Sequence, residues 1–375
     1  MLWLALLSLL IWTYLVLAHG RFWSSGPELP PAAPKALPDG ALPEVDIVIP
    51  ARDEAATIGP VIASLLAQEY AGKFRVTLVD DNSTDGTAAL AGTAPNLRVI
   101  TGKPKAEGWS GKLWALSQGI AATSAPVLLF ADADIVHDPR HLAALVARLE
   151  EPRADMVSEM VRLNCESFAE RALVPAFVYF FQMLYPFARV NDPRSSVAAA
   201  AGGTVLIRRE ALERIGGIAA IKGALIDDVT LATAVKRSGR AAGATIYLGH
   251  SGLATSVRPY PSWRDLWDMI ARTAFTQLRY SALLLVLTLI GLTLVWLVPA
   301  GALLFGHGWT RAAGFLAFVL SASSYQPTLA RYHRSPWWAL GLPLIALFYM
   351  AATLGSAVNH WLGRGARWKS RAYGS

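Results

Sequence analysis

The sequence predicts an α/β fold, in which a mostly parallel β-sheet is flanked by helices and transmembrane helices lie toward both ends of the chain. Apolar runs of strand length alternate with helical patterns over roughly 100 residues, which is typical of a parallel sheet. These runs are continuous, as expected for strands covered on both faces. Charged residues make up only 16% of the chain, against about 25% in a typical soluble domain. Because the excess apolar residues lie near the two ends, we expect a membrane protein with a soluble middle.

The N-terminal segment, residues 1–20, is predicted to be a transmembrane anchor. Residues 2–18 are almost wholly apolar and suit a short membrane helix. The alternative is a secretory signal peptide, but no Lys or Arg precedes the apolar run, and a charged start is part of that signature. Residues 21–43 contain six prolines and no periodicity, which predicts an extended linker.

Residues 44–258 are predicted to form the α/β domain. Strands are expected at residues 45–50, 74–79, 97–100, 127–130, 155–160, 204–207 and 244–248. Helices are expected at residues 57–68, 113–122 and 209–215, with a further helix beginning near Asp227. Residues 168–187 are rich in Phe and Tyr and fit either a buried core helix or a surface helix at the membrane interface.

The C-terminal third changes character. Residues 259–281 place tryptophans on one side and arginines on the other, which predicts an amphipathic helix at the membrane interface. Residues 282–363 are predicted to contain two or three transmembrane helices: 282–305 and 337–361 are long enough to span, and 312–325 is shorter. Residues 364–375 form a basic tail. Positive charge favours the cytoplasmic side. With two spans the basic tail would lie on the same side as the α/β domain, and with three it would lie on the other side. The charge favours two spans while hydropathy favours three, and the number stays open.

Composition excludes several classes of function. The net charge of +7 comes partly from the tail, and such a cluster is more typical of an anionic membrane surface than of a nucleic-acid site. The single cysteine, Cys165, excludes an internal disulfide and a cysteine-based zinc site. Gly111-Lys112 resembles the end of a phosphate-binding P-loop, but Ala106 and Leu113 replace its required Gly and Ser or Thr.

Two carboxylates, Asp132 and Asp134, follow the apolar strand at residues 127–130. Residues i and i+2 of a strand point to the same face, and open α/β sheets bind ligands at the carboxyl ends of their strands. Close carboxylates repel each other unless a cation lies between them or one is protonated. Mg²⁺ or Mn²⁺ prefers such oxygen ligands. The alternative is a turn in which the aspartates cap the next helix.

Further motifs follow in a fixed order. They are Pro50-Ala51-Arg52-Asp53-Glu54, Asp80-Asp81-Asn82-Ser83-Thr84-Asp85, Gly108-Trp109-Ser110-Gly111-Lys112, Asp132-Ala133-Asp134, Gly202-Gly203, Ile226-Asp227-Asp228 and Gln277-Leu278-Arg279-Tyr280. In this order and spacing, the chain from about residue 45 to residue 280 resembles a family 2 glycosyltransferase with the GT-A fold. More narrowly, residues 109–114 and 272–280 resemble the hopene-associated glycosyltransferases of hopanoid-making bacteria.

The resemblance implies a multi-pass protein of the cell membrane with its catalytic domain on the cytoplasmic side. It would be an inverting enzyme that moves a sugar from a UDP-linked donor to a lipid acceptor, in hopanoid biosynthesis on the narrower resemblance. A polyprenyl-phosphate glycosyltransferase and a polysaccharide synthase are alternatives within this class. A catalytically inactive membrane protein that binds a nucleotide-sugar is the alternative outside it. Nucleic acid is not an expected partner, and the oligomeric state stays open.

The resemblance also implies residue roles. The nucleotide-sugar would be bound by Pro50, Ala51, Arg52, Asp53, Glu54, Asp81, Lys112, Asp132, Gly203 and Arg279. Asp53 and Asp81 would accept hydrogen bonds from the base and ribose. Lys112 would neutralise the diphosphate as a point charge. Asp134, with Asp132, would hold Mg²⁺ or Mn²⁺, and Arg279 would either hold the diphosphate or extend its charge to the membrane interface.

Asp228 would be the general base, with Asp227 beside it. Its place near a helix N-terminus is expected to favour the carboxylate form, and the alternative role is a helix cap. Two departures from the family pattern blur these assignments. Asp227 replaces the Glu of the usual Glu-Asp pair, so either aspartate could be the base. In the (Gln/Arg)-x-x-Arg-Trp motif, Thr276 takes the first position and Tyr280 the Trp position.

Overall fold

The structure is a computed structural model that describes residues 1–32, 42–151, 154–239 and 245–364, and the backbone of residues 367–368 and 371–372. The centre of the predicted linker, residues 33–41, the predicted strand start at Ala244 and most of the basic tail lie outside the described residues. The chain forms two compact units. A helical unit contains residues 1–26, 165–188 and 260–364, and a sheet unit contains the described residues within 27–164, 189–259 and 367–372.

The elements are numbered in chain order. The main strands are β1 (Val45–Ala51), β2 (Phe74–Asp80), β3 (Leu97–Thr101), β4 (Val127–Ala131), β5 (Ile135–His137), β6 (Met156–Arg162), β7 (Thr204–Arg208) and β8 (Ile246–Ser256). The helices are α1 (Leu2–Ala18), α2 (Ile58–Leu66), α3 (Thr87–Leu90), α4 (Gly111–Ala121), α5 (His141–Glu150), α6 (Phe168–Leu184), α7 (Phe187–Val190), α8 (Arg209–Arg214), α9 (Asp227–Gly239), α10 (Trp263–Gln277), α11 (Ala282–Leu292), α12 (Val298–Phe305), α13 (Gly308–Arg331) and α14 (Leu342–Trp361).

The sheet unit is built on one eight-stranded sheet in the order β3-β2-β1-β4-β7-β6-β8-β5. The pairs β3–β2, β2–β1, β1–β4 and β6–β8 are parallel, and the other three are antiparallel. The predicted α/β class is therefore confirmed, and the sheet is mixed. Every residue of β1 and β4 is buried, which explains why their sequences are apolar apart from Asp46.

Two strands differ from the sequence prediction. β5, immediately after the Asp132-Ala133-Asp134 motif, was not predicted, because three residues are too short for a periodic pattern. β8 continues to Ser256, whereas the prediction ended it at residue 248. Gly249 and Gly252 suggest a break in the strand, but the chain stays extended because it pairs with β6 on one side and β5 on the other.

The helical unit contains α1, which has the predicted bounds and is tied to a later helix. Pro299 has no N–H, so the carbonyl of Val295, four residues earlier, receives no α-helical hydrogen bond from it. The indole Nε1 of Trp12 donates to that Val295 carbonyl at 2.7 Å. A π-helical turn, Thr293–Leu297, links α11 to α12 at this place, and Trp12 packs edge-on against the buried ring of Trp296. These contacts make α1 part of the packed helical unit.

Helix α6 also lies in the helical unit. It begins with a capping box between Ser167 and Glu170 and continues through Pro175. The Tyr179 hydroxyl lies 2.5 Å from Ser324 Oγ of α13, and Gln182 Nε2 donates to Thr328 Oγ1 at 3.4 Å. The inner face of α6 is therefore buried among helices. The proposed bounds of the α/β domain, 44–258, stay a prediction, since residues 165–188 group with the helices.

Among the described residues, two helical stretches are long and apolar enough to cross a membrane, Ala282–Phe305 and Pro336–Trp361. Helix α13 is 24 residues long but is not among them. In helix α10, Leu266, Ile270 and Phe275 are buried while Trp263 remains 45% exposed, and the place of this helix at a membrane interface stays a prediction.

Candidate active site

The carboxyl ends of the central strands place the predicted site residues at one edge of the sheet. β1 and β2 are in register, with Ala51 opposite Asp80, and β4 runs parallel to β1 on its other side. β7 runs antiparallel to β4 with Thr204 opposite Ala131, so the two glycines before β7 join this edge. The backbone N–H of Asp132 donates to the Gly203 carbonyl at 3.1 Å.

Two loops at this edge, residues 52–55 and 82–87, are joined by hydrogen bonds. Asp53 has a left-handed backbone, with φ of 49°, and its Oδ1 accepts from the Thr84 backbone N–H at 2.9 Å. The Asp53 N–H donates to Ser83 Oγ at 2.9 Å, and the Glu54 N–H donates to Thr87 Oγ1 at 2.8 Å. The loops after β1 and β2 are therefore fixed to each other, and they contain three of the predicted nucleotide-binding residues, Arg52, Asp53 and Glu54.

Arg52 and Asp81 are in direct contact. Arg52 Nη1 donates to the Asp81 carbonyl at 2.5 Å and lies 3.7 Å from its Oδ2. Asp81 is fully buried. Asp85 binds the start of α3, because its Oδ1 accepts from the N–H of Thr87 at 3.0 Å, while the N-cap residue itself is Gly86. Hydrogen bonding to the Thr87 hydroxyl lowers the pKa of Asp85.

Lys112 connects the two acidic motifs. It lies in the first turn of α4, behind the N-cap Ser110, whose Oγ accepts from the Leu113 N–H. Its Nζ lies 2.7 Å from Asp132 Oδ1 and 3.5 Å from Asp227 Oδ2. Burial acts to lower the pKa of Lys112, but the two carboxylates outweigh burial and raise it, so the amine stays protonated. The structure therefore brings together aspartates that are 95 positions apart in the chain, 132 and 227.

Asp228 lies at the start of α9. Its Oδ1 accepts from the Val229 N–H at 2.7 Å, and a β-carbon added at Gly202 would lie 3.2 Å from its Oδ2. Burial, followed by repulsion from Asp227, raises the pKa of Asp228 to about 7. The sequence-based argument that the helix N-terminus would favour the carboxylate form is therefore wrong for this residue, because burial and a like charge outweigh it. A carboxyl group with this pKa suits a general base at neutral pH.

A small pocket adjoins these groups. Its polar wall consists of Lys112, Asp132, Asp227 and Asp228. Its other walls are formed by Pro50, Leu113, Leu116, Phe130, Ala131, Gly202, Val205, Ile218, Ile221 and Leu231. A few converging charged groups on an otherwise apolar wall are typical of a ligand pocket. Of the predicted residues, Ala51 lies at the buried end of β1, and Gly203 stays beside Asp132.

Asp134 has a partner that the sequence analysis missed. Arg258, two residues after β8, donates from Nε to Asp134 Oδ2 at 2.5 Å and from Nη2 to Glu54 Oε1 at 2.7 Å. A position just beyond a strand end could have indicated a role for Arg258 in the site. The prediction ended β8 at residue 248, ten positions earlier, so this indication was missed.

The donor set fits a hard divalent cation whose remaining ligands are phosphate oxygens and water. Asp132 and Asp134 offer carboxylate oxygens, which Mg²⁺ and Mn²⁺ prefer. No group of three or more His, Cys, Asp or Glu side chains suited to a metal ion occurs among the described residues. Mg²⁺ is commonly bound by only one or two carboxylates, with substrate phosphates and water completing its shell. Asp132 and Asp134 would supply carboxylate ligands to such a cation.

Arg279 lies in the helical unit, in the turn after α10, where Arg279 and Tyr280 both have left-handed backbones with φ of 52° and 55°. The Tyr280 ring stacks on His360 at 4.4 Å between ring centroids. The predicted contact of Arg279 with the diphosphate stays a prediction.

Known proteins similar to this chain are glycosyltransferases. Residues 46–216 match the family model named Glycosyl transferase family 2. The β-monoglucosyldiacylglycerol synthase of a Nostoc species is 30% identical over 189 residues, covering 48% of this chain and 38% of that protein. The dodecaprenyl-phosphate galacturonate synthase of Rhizobium johnstonii is 26% identical over 126 residues, covering 30% of this chain and 35% of that protein. The chain thus spans well under half the length of these two curated relatives.

Among solved structures, a mannosyltransferase from Pyrobaculum calidifontis in complex with GDP-Man and Mn²⁺ is similar over 96% of this chain and 99% of its own. The TM-score is 0.54 at 20% identity, which shows a shared fold. Residues 46–216 thus match the family 2 glycosyltransferase domain. The likeness to the solved structure and the sheet topology show the fold, which is of the predicted GT-A type.

Proposed function

We propose that this protein is a membrane-bound inverting glycosyltransferase that moves a sugar from a UDP-linked donor to a lipid acceptor. The observation that carries the proposal is the position of Lys112, whose Nζ contacts Asp132 Oδ1 at 2.7 Å and Asp227 Oδ2 at 3.5 Å. Lys112, Asp132, Asp227 and Asp228 line one pocket, which supports assigning the donor diphosphate and the base to the same site.

The reaction uses Asp228 as general base. Its carboxylate takes the proton of an acceptor hydroxyl while that oxygen forms a bond to the anomeric carbon of the donor sugar. The bond from the anomeric carbon to the phosphate oxygen breaks on the opposite face, and the nucleoside diphosphate leaves with the electron pair. A pKa of about 7 keeps a large share of Asp228 ionised at neutral pH and still makes it a competent proton acceptor.

The donor half of the site is the pair of loops after β1 and β2. Asp53 and Asp81 accept hydrogen bonds from the base and ribose, while Lys112, at the start of α4, neutralises the diphosphate. Asp132 and Asp134 would hold Mg²⁺ or Mn²⁺, which supplies charge stabilisation to the departing diphosphate when bound.

Two considerations favour a lipid acceptor. The two relatives named above carry a diacylglycerol and a dodecaprenyl phosphate in their names. The chain also has two apolar stretches of spanning length and the amphipathic helix α10. The cytoplasmic side is proposed because nucleotide-sugars are made there. An extended hopanoid is the first candidate acceptor, on the sequence resemblance.

The test uses full-length protein in detergent with Mn²⁺, a panel of UDP-sugars and extracted membrane lipids, and measures UDP release. We expect Asp228→Asn to lower the rate by about 10²–10⁴-fold and Asp134→Asn to abolish detectable transfer. Asp138→Asn is the matched control, because Asp138 pairs with the exposed Arg140 and lies outside the cavity lining. UDP release that is unchanged in both site variants would contradict the proposal.

A polyprenyl-phosphate acceptor would use a phosphate oxygen as nucleophile and would need no strong base. In that case Asp134→Asn would abolish transfer and Asp228→Asn would not. Tight binding of UDP without turnover on any acceptor would instead indicate a protein that binds nucleotide-sugars without catalysis. Lipid profiling of a deletion strain would identify the acceptor through the glycolipid that is lost.

A further inference from the structure

The guanidinium of Arg258 bridges two motifs of the sheet unit. Its Nε donates to Asp134 Oδ2 at 2.5 Å, and its Nη2 donates to Glu54 Oε1 at 2.7 Å. The backbone fixes this position, because the Val257 N–H donates to the Asp134 carbonyl at 2.8 Å and continues the pairing of β5 with β8. Glu54 is held further by the Thr57 hydroxyl, which donates to its Oε2 at 3.3 Å.

Both carboxylates of the Asp132-Ala133-Asp134 motif thus already have a cationic partner. Lys112 lies on Asp132, and Arg258 lies on Asp134. The Asp134–Arg258 pair is well shielded, with side-chain exposures of 14% and 30%. An Arg side chain does not lose its charge at accessible pH. The free protein therefore neutralises Asp134 internally.

A divalent cation at Asp134 must compete with this guanidinium. Mg²⁺ binds carboxylate oxygens at about 2.0–2.1 Å, close to where the Arg258 Nε–H is directed. The two positive groups repel each other strongly at this separation in a partly buried site. A diphosphate removes the conflict, because its oxygens ligate the cation and also accept paired hydrogen bonds from a guanidinium.

We propose that Arg258 is the internal counter-ion of Asp134 and makes binding of the divalent cation depend on the nucleotide diphosphate. In the free protein Arg258 holds Asp134 in place and excludes the cation. When the diphosphate enters, the guanidinium turns from Asp134 to the phosphate oxygens and Asp134 becomes available to the cation. The inference rests on the proposed function for the identity of the diphosphate ligand.

The experiment measures Mn²⁺ binding to the full-length protein by electron paramagnetic resonance, with and without UDP, and with GDP in parallel. Wild-type protein is expected to bind Mn²⁺ alone weakly and at least about tenfold more tightly with the nucleotide. Arg258→Gln is expected to bind Mn²⁺ alone about tenfold more tightly than wild type, and to gain less from the nucleotide. Arg258→Lys is expected to lie between, because one ammonium cannot bridge Asp134 and Glu54.

Arg140→Gln is the matched control. Arg140 makes a similar two-point contact, with Nε and Nη2 at 2.8 and 2.9 Å from the Asp138 carboxylate, but this pair is exposed and outside the site. Its Mn²⁺ binding should equal that of wild type. If Arg258→Gln binds Mn²⁺ alone like wild type, or wild type binds it equally with and without nucleotide, the inference is wrong. Should Arg258→Gln fail to fold, wild-type Mn²⁺ affinity in Arg258→Lys would overturn it.

Mn²⁺ binding tests the counter-ion role of Arg258, whereas sugar transfer tests the proposed function. Sugar transfer by wild type, with unchanged Mn²⁺ binding in Arg258→Gln, would contradict the counter-ion role and leave the function standing. Tighter Mn²⁺ binding in Arg258→Gln, without transfer to any acceptor, would support the counter-ion role and contradict the function alone.

Discussion

Gly202 leaves just enough room for the carboxylate of Asp228: a β-carbon at Gly202 would lie 3.2 Å from Oδ2 and 3.5 Å from the β-carbon of Asp228. Replacing Gly202 with Ala should therefore displace the carboxylate by a fraction of an ångström. We expect kcat to fall by about 10–100-fold, because small misplacement of a reacting group is costly. The KM for the donor should change little. Steady-state kinetics of UDP release measures both.

Gly252→Ala provides the control for this substitution. Gly252 is an exposed residue of β8, and its nearest neighbour for an added β-carbon, Glu28 Oε1, is 4.0 Å away. Its kinetics should match those of wild type. Wild-type kcat in Gly202→Ala would show that the position of Asp228 does not limit the reaction.

The raised pKa of Asp228 predicts the pH dependence of transfer. A base must be deprotonated to act, so kcat/KM should rise about tenfold per pH unit at acidic pH and level off above about pH 7. Lys112 acts to lower the pKa of Asp228, so Lys112→Met should move this limb to higher pH as well as weaken activity. The pH–rate profile of each protein is the measurement.

Lys222→Met is the control for the pH profile. Lys222 is an exposed lysine of the sheet unit, and it does not line the pocket that contains Asp227 and Asp228. Its acidic limb should coincide with that of wild type. An acidic limb that stays in place in Lys112→Met would show that another group controls the ionisation.

A buried polar chain in the sheet unit is expected to support stability. His137 Nδ1 lies 2.9 Å from His141 Nδ1, and His141 Nε2 pairs with Glu159, whose side chain is fully buried. His141→Leu should leave a buried Glu159 oxygen without its hydrogen-bond partner and lower the free energy of unfolding by roughly 1–3 kcal/mol. The double variant His141→Leu with Glu159→Leu should recover much of this loss, because an apolar pair leaves no buried polar group without its partner.

Thermal unfolding of the full-length protein in detergent, followed by circular dichroism, measures this effect. Arg140→Ala removes an exposed ion pair and should leave the midpoint nearly unchanged. Equal midpoints for the single and the double variant would contradict the view that the unpaired Glu159 oxygen causes the loss.

The hydrogen bond from Trp12 to the Val295 carbonyl predicts a coupled pair of substitutions. Trp12→Phe keeps an aromatic ring but removes the donor to the half-buried Val295 carbonyl, which should cost roughly 0.5–1.5 kcal/mol. In a Pro299→Ala background the cost should be smaller, because the alanine introduced there carries an N–H able to bond Val295 within the helix. A double-mutant cycle on the thermal unfolding midpoint measures the coupling. Additive effects would show that the proline does not create the need for Trp12.

Several elements were predictable because their patterns are local. The predicted helix at residues 2–18 has those bounds in the structure, since a continuous apolar run of this length has few alternatives. The strand before Asp132 was equally clear, because its sequence is a continuous apolar run, and all five of its residues are buried in the structure. The α6 helix was recognised as helical, but the sequence left open what it packs against, and the structure places it among the helices.

Some features of the site were predictable from local sequence, and others depended on the folded structure. Asp53, Asp81 and Asp132 follow parallel strands, and the carboxyl ends of such strands meet at one edge, so their common location was predictable. Arg258 was not predictable, because it reaches Asp134 across 124 positions through the pairing of β8 with β5. The pKa of Asp228 was also mispredicted, since it depends on burial and on Asp227 rather than on the helix terminus alone.

Hydrophobic periodicity and strand ends are properties of neighbouring residues, so the α/β class, the apolar helices and the order of the acidic motifs could be read from the chain alone. Which charges face each other is settled only in the folded protein, with Lys112 on Asp132 and Asp227, and Arg258 on Asp134 and Glu54. Those pairings follow from the sheet order and register, which bring distant segments together and set their burial, and burial in turn sets how strongly the charges act.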